Sequence, residues 1–166
     1  MKKIFITVIL LVCTFMFASC TEKADPQTEV KVNSSSFTVF TDEESGLSGY
    51  KDEKGNIVIP CRFDRAGAFN NDRALVWKNK RGGFIDPNGN IIVDFIYKEA
   101  ADFSNGRALV RKDDKYGFID TSGTAITDFI YDNATSFNAG GYATVIEDGR
   151  TFEIDKDGNE IIIDKE

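Results

Sequence analysis

"GFIDPNGNII" spans residues 83–92 and "GFIDTSGTAI" spans residues 117–126, so the chain writes nearly one phrase twice, 34 residues apart (117 − 83). A weaker copy, "GYKDEKGNIVI", begins at Gly49, another 34 residues earlier (83 − 49). A fourth, "FEIDKDGNEII", places Asp155 35 residues after Asp120 (155 − 120), the extra residue falling in "FNAGGYA" where the neighbouring copy reads "FSNGRA". A fixed period of about 20–50 residues is the signature of a tandem-repeat fold.

Each unit reads as three short strands. The first is "ALVWK" at Ala74, "ALVRK" at Ala108 and "ATVIE" at Ala143; the second is "GFID"; the third is "NIIVD" or "TAITD". Period-two patterning and β-branched residues favour strands, and the frequent glycines leave no room for a long helix. The second and third strands are joined by turn chemistry. In "DPNG", the Asp86 carboxylate caps the turn, Pro87 presets φ at the first corner, and Gly89 supplies the positive φ that follows. This suits a type I turn with a glycine bulge, a common hairpin connection. Asp52 with Gly55, Asp120 with Gly123, and Asp155 with Gly158 repeat it. The carboxylates do not suggest calcium, which needs six to eight oxygens converging on one point.

Between units run the connectors "FDRAGAF", "YKEAADF" and "YDNATSF", aligning Phe63, Tyr97 and Tyr131, then Ala66, Ala100 and Ala134, then Phe69, Phe103 and Phe137. An aromatic at each end and a small residue between them suit a loop pinned onto neighbouring units. Cys61 aligns with Phe95 and Phe129 and so fills an apolar slot. The expected fold is all-β, built from three-stranded antiparallel meanders at about 37–60, 74–94, 108–128 and 143–163. They form an open stacked array whose neighbours share a core no single unit could build; the alternative is a closed ring like a four-bladed propeller.

The pattern G-[FY]-I-D-x-x-G, an apolar strand, [FY]-D-x-A-x-x-F and then G-x-A-x-V resembles the WG-repeat (KWG) family, and "GFIDTSGTAITDFIYDNATSFNAGGYATV" follows it closely. The resemblance runs from Gly49 to Gly158. The Trp that names the family, just before the repeat glycine, is here Gly82 in one copy and Tyr116 in another, and Trp77 stands elsewhere in its unit. The resemblance implies tandem β-repeats, often on exported proteins, in a binding or scaffolding role.

Outside the repeats, "MKKIFITVILLVCTFMFASC" has Lys2 and Lys3, an apolar run from Ile4 to Phe17, and small residues before Cys20. That is the order of a secretory signal. "FASC" resembles the lipobox of bacterial lipoproteins, which implies a signal over residues 1–19 and acylation of Cys20. Thr21 after the cysteine implies the outer membrane under the sorting rules of such proteins. Residues 20–36 then form the lipidated cysteine and a polar tether, and residues 37–166 the repeat domain, in the cell envelope with its membrane-facing side undetermined. Cys61 is the one thiol left in the body, too few for an internal disulfide framework.

The chain has no His and a formal net charge of −7. The first removes His-based catalysis and His metal ligands; the second argues against nucleic acid as a partner. No acid lies inside a strand pattern where burial would raise its pKa, so a carboxylate hydrolase is the least favoured reading, and neither cofactor nor metal is expected.

Positions kept in every unit hold the fold, and those that depart in one unit are the functional candidates. From Arg62 to Arg81 lie Arg62, Arg65, Arg73, Lys78, Lys80 and Arg81 against Asp64 and Asp72, a local balance of +4 (6 − 2). Arg65 replaces Glu99 or Asn133, and Trp77 replaces Arg111 or Ile146. Arg62, Arg65, Arg73, Trp77, Lys80 and Arg81 therefore mark a candidate surface for an acidic envelope protein or anionic polymer, Arg giving forked hydrogen bonds and Trp an apolar anchor. The competing account is that these charges neutralise the acidic units beside them and Trp77 packs on the next strand. The function expected is that of a lipid-anchored, non-catalytic envelope protein presenting a β-repeat surface, with a carbohydrate or small-molecule binding module as the alternative.

Overall fold

The computed structural model describes residues 34–162. The signal segment, Cys20, the tether as far as residue 33 and residues 163–166 lie outside the described residues.

After a single 3-10 turn at Ser34–Ser36 the described chain is built of strands: β1 Thr38–Thr41, β2 Ser48–Lys51, β3 Ile57–Phe63, β4 Arg65–Asn70, β5 Arg73–Lys78, β6 Arg81–Ile85, β7 Ile91–Tyr97, β8 Glu99–Ala100, β9 Arg107–Lys112, β10 Lys115–Asp120, β11 Asn133–Ala134, β12 Tyr142–Glu147 and β13 Arg150–Asp155. They form successive antiparallel sheets in the orders β1-β2-β3, β4-β5-β6-β7, β8-β9-β10 and β11-β12-β13, none closed into a barrel. The all-β tandem-repeat fold expected from the sequence is the fold observed.

The hairpin turn recurs as its residues dictate. The Gly55, Gly89, Gly123 and Gly158 N–H groups each donate to the carbonyl of the turn Asp three residues back, at 2.9–3.0 Å, and all four glycines have φ between 82° and 87°. Oδ1 of Asp52, Asp86, Asp120 and Asp155 accepts backbone N–H groups two and four residues ahead, which closes each turn around its carboxylate. The glycine that opens the phrase has a different purpose. A Cβ on Gly49 would lie 2.5 Å from the Ile59 carbonyl oxygen, and one on Gly83 2.6 Å from that of Val93. The third strand bulges inward there, so only a glycine fits beneath it.

Two boundaries differ from the sequence reading. Ser34–Ser36, assigned to the tether, join the fold: Ser34 is buried and its hydroxyl donates to Asp72 Oδ1 at 2.8 Å. The connectors, assigned to loops, contribute strands β4, β8 and β11, each paired with the strand that follows. Their apolar positions satisfy a pinned loop and an edge strand equally, so the pattern alone did not separate the two. The third strand of the third unit is reduced to the isolated bridges Ile119–Ala125 and Tyr116–Tyr131. The Thr127 hydroxyl accepts the Phe118 N–H at 3.1 Å, a side-chain competitor for the ladder.

The core lies between units. Tyr50, Ile59 and Phe63 of the first unit bury against Phe69, Ala74, Val76 and Ile85 of the second. Phe84, Val93 and Tyr97 bury against Phe103, Ala108, Val110 and Ile119, and Phe118 and Tyr131 against Phe137, Ala143, Val145 and Ile154. The connector aromatics do the pinning: Phe69 packs on Tyr50, Phe103 on Phe84 and Phe137 on Phe118, with ring centroids 4.8–4.9 Å apart. Truncating a buried Phe of this kind costs about 3–5 kcal/mol.

The turn glycines of the second, third and fourth units also seat on the third strand of the preceding unit. The Cβ positions of Gly89, Gly123 and Gly158 lie 3.3, 2.7 and 2.8 Å from side-chain atoms of Ile59, Val93 and Thr127. Arginines reinforce this contact. Arg73 Nε donates to the Thr121 carbonyl at 2.7 Å, and Arg107 Nε to the Lys156 carbonyl at 2.8 Å.

Candidate binding surface

The basic candidates divide into two sets. Arg62 Nη2 donates to the Gly89 carbonyl and Arg73 reaches Thr121, so both guanidinium groups bind the turn of the following unit. Arg73 also begins β5, about 13 Å of extended chain from Trp77. It belongs to the stacking of units rather than to the patch in which the sequence placed it.

Arg65, Trp77, Lys80 and Arg81 gather at the other end of the sheet. Arg65 on β4 pairs in register with Trp77 on β5, and its guanidinium carbon sits 4.6 Å from the centre of the indole. Trp77 pairs across the next ladder with Gly82 on β6, and Lys78 with Arg81. Like charges directly opposite on a ladder repel, and nothing in the hairpin relieves this. Asn79 and Lys80 form the two-residue turn between β5 and β6 with φ of 51° and 60°. A lysine in that conformation is unusual, since such turns favour Asn and Gly. The Asp64 carboxylate accepts the Asn79 N–H at 2.7 Å and fixes the turn. Asp64, Arg65, Trp77 and Lys80 line a shallow recess of about 250 Å³.

In the next unit most of the cations around the equivalent positions are neutralised, Lys112 (the counterpart of Lys78) being the exception. Arg111 pairs with Glu99, the Tyr116 hydroxyl donates to Glu99 Oε2 at 2.7 Å, and Lys98 pairs with Asp114 at 2.7 Å. Tyr116 and then Arg111 hold Glu99 below the usual carboxylate range. Lys115 likewise pairs with Asp132, and Arg150 of the last unit with Glu160. Among the described residues, Arg65, Lys78, Lys80 and Arg81 make no ion pair.

On the other flank of the Arg65–Trp77 pair lies a second recess of about 240 Å³, lined by Arg65, Ala66, Gly67, Leu75, Trp77 and Asp102. Burial raises the Asp102 carboxyl above its ordinary value. Beneath it the Tyr50 hydroxyl donates to the Gly67 carbonyl at 2.7 Å, and burial followed by the Asp102 charge pushes this phenol well up. Sequence reasoning missed Asp102. The signal was present, because the aligned positions are Ala68 and Ser136 and only this unit carries a carboxylate there. Among the described residues no group of three or more Cys, Asp or Glu is placed to hold a metal ion.

The WG containing repeat model matches residues 49–81, 83–116 and 116–150, more than half of the chain. The chain belongs to the WG containing repeat family. Comparison with curated proteins and with solved structures returns no match. The repeat type is non-catalytic and marks a binding or scaffold module. In its terms, the second unit carries Gly82 in place of the naming Trp, and Trp77 covers that glycine from the neighbouring strand: the Cβ position of Gly82 lies 3.5 Å from Trp77 Cζ2. An aromatic ring thus occupies this level in both middle units, from β5 in one and from β10 in the other.

Proposed function

We propose that this chain is a lipid-anchored, non-catalytic protein of the bacterial envelope that holds an acidic protein or anionic polymer against the β4–β5–β6 surface of its second unit. The observation that carries the reading is the contrast in charge pairing. Among the described residues, Arg65, Lys78, Lys80 and Arg81 make no ion pair around Trp77, whereas in the next unit Lys98, Arg111 and Lys115 are paired and only Lys112 is not. Neutralising the acidic units is therefore a poor account of these cations. An anionic partner would take forked hydrogen bonds from Arg65 and bury part of the indole. The signal pattern and "FASC" support anchoring through Cys20, and Thr21 supports the outer membrane.

Cross-linking capture from envelopes tests the surface, comparing the native chain with an Arg65→Glu, Trp77→Ala, Lys80→Glu variant. Arg62 and Arg73 are left intact because they hold the units together. Loss of a captured partner by the variant, with its circular dichroism unchanged, is the expected result; equal capture by both would sink the reading. For anchoring, a Cys20→Ala chain is expected to leave the membrane fraction and take up no labelled fatty acid.

A carbohydrate or other small polar ligand is the second reading. It is favoured by the recess in which Trp77 offers an apolar face beside the Asp102 carboxylate.

A further inference from the structure

The contact between units has two halves: a hairpin turn with its glycine, and the third-strand residue seven positions after the turn Asp of the unit before. Gly89 meets Ile59, Gly123 meets Val93 and Gly158 meets Thr127. Among the described residues each half stands open once, at opposite ends of the array. No described residue comes within 4 Å of the Cβ position of Gly55, in the first turn. The fourth residue in the series Ile59, Val93, Thr127 is Ile162, and it is 82% exposed where Ile59 is 1% and Val93 6% exposed.

The arginine half is altered in the same direction. Arg73 and Arg107, which reach the carbonyls of Thr121 and Lys156, align with Tyr142 in the last unit. Tyr142 is 44% exposed, and its hydroxyl is a donor of the kind that could meet the equivalent carbonyl, that of Glu53 in the first turn. The first described residues bind the second unit instead, Ser34 being held by Asp72 and Phe37 packing on Phe69.

We propose that a second copy of this chain docks head to tail, the Gly55 turn of one copy seating on Ile162 and Tyr142 of the other. The occupant is specified by the contact itself: the turn that fits this third strand is one this chain repeats four times. A contact of this kind is heterologous, so it propagates into linear chains rather than closing a two-fold dimer. Between separate molecules it must also overcome the loss of rotational and translational freedom. It is therefore weak in dilute solution and grows at high local concentration, as on a membrane surface.

A photo-reactive benzophenone side chain placed at position 162 of the full chain tests the geometry. The expected product is a cross-linked dimer in which peptide mapping joins position 162 to the turn at residues 52–57 of the second copy. A cross-link from 162 to 162, to another protein alone, or to nothing at high protein concentration overturns the proposal. As a second arm, Ile162→Asp in the otherwise native chain is expected to weaken concentration-dependent association in sedimentation by about tenfold, with circular dichroism unchanged. Unaltered sedimentation, whether the variant associates as the native chain does or neither associates, also overturns it.

Discussion

Trp77 lies directly across the β5–β6 ladder from Gly82, in register, with the edge of its ring 3.5 Å from where a Gly82 side chain would begin. In the following unit the same ladder position carries Arg111 opposite Tyr116, with the guanidinium carbon 5.4 Å from the ring centre. The two units solve one packing problem with the aromatic on opposite strands. A ring covering a strand glycine restores the packing that the missing side chain would have given.

This symmetry makes the exchange testable. Trp77→Ala uncovers Gly82 and is expected to cost about 1–2 kcal/mol, less than a fully buried aromatic because the ring is half-buried. The double variant Trp77→Arg, Gly82→Tyr copies the Arg111–Tyr116 pair and is expected to recover most of that loss in chemical denaturation. Partner capture should remain absent in both. Recovery of capture by the double variant would show that the indole itself is not what the partner recognises.

The arginines of the basic stretch should separate by energetics as they do by geometry. Arg73 Nε holds the Thr121 carbonyl of the next unit at 2.7 Å, a charge-assisted bond across the inter-unit contact. Its loss in Arg73→Ala is expected to cost about 1–2 kcal/mol. Among the described residues the Arg65 side chain has only the Trp77 ring as partner, so Arg65→Ala should change stability by no more than about 0.5 kcal/mol. Equal losses in paired urea titrations would contradict the division into stacking and surface residues.

How far the fold was legible follows from the same residues. The period, the turn at Asp86–Gly89 and the pinning role of Phe69, Phe103 and Phe137 were readable because each is repeated and each meets a local or nearest-neighbour demand. The strand character of the connectors was not, since Ala66 and Phe69 keep the same apolar spacing whether or not their backbone is paired. Arg73 was misplaced for a related reason. Net charge along the chain records how many guanidinium groups are present, while their partners at Thr121 and Gly89 lie in other units. Asp102 escaped because one more carboxylate among 27 acidic residues carries no charge signal of its own, and its burial depends on the neighbouring unit.

Two carboxylates should respond to pH with opposite signs. Asp120 is held below its ordinary value of 3.8, chiefly by the Ser122 hydroxyl, with backbone N–H groups of Thr124 and Ser122 adding to it. A depressed folded-state pKa contributes stability above about pH 4 that is lost as pH falls through the folded value. Asp120→Asn should therefore lower the melting temperature at pH 7, with a difference that shrinks as pH falls toward 3. Asp102 is raised by burial, so the fold favours its neutral form and loses stability as pH rises through the folded value. Asp102→Asn should then raise the melting temperature at pH 7 and leave it unchanged at pH 3. Melting curves of the two variants across this range read out both signs, and a destabilised Asp102→Asn at neutral pH would mean that its charge holds the fold rather than standing ready for a ligand.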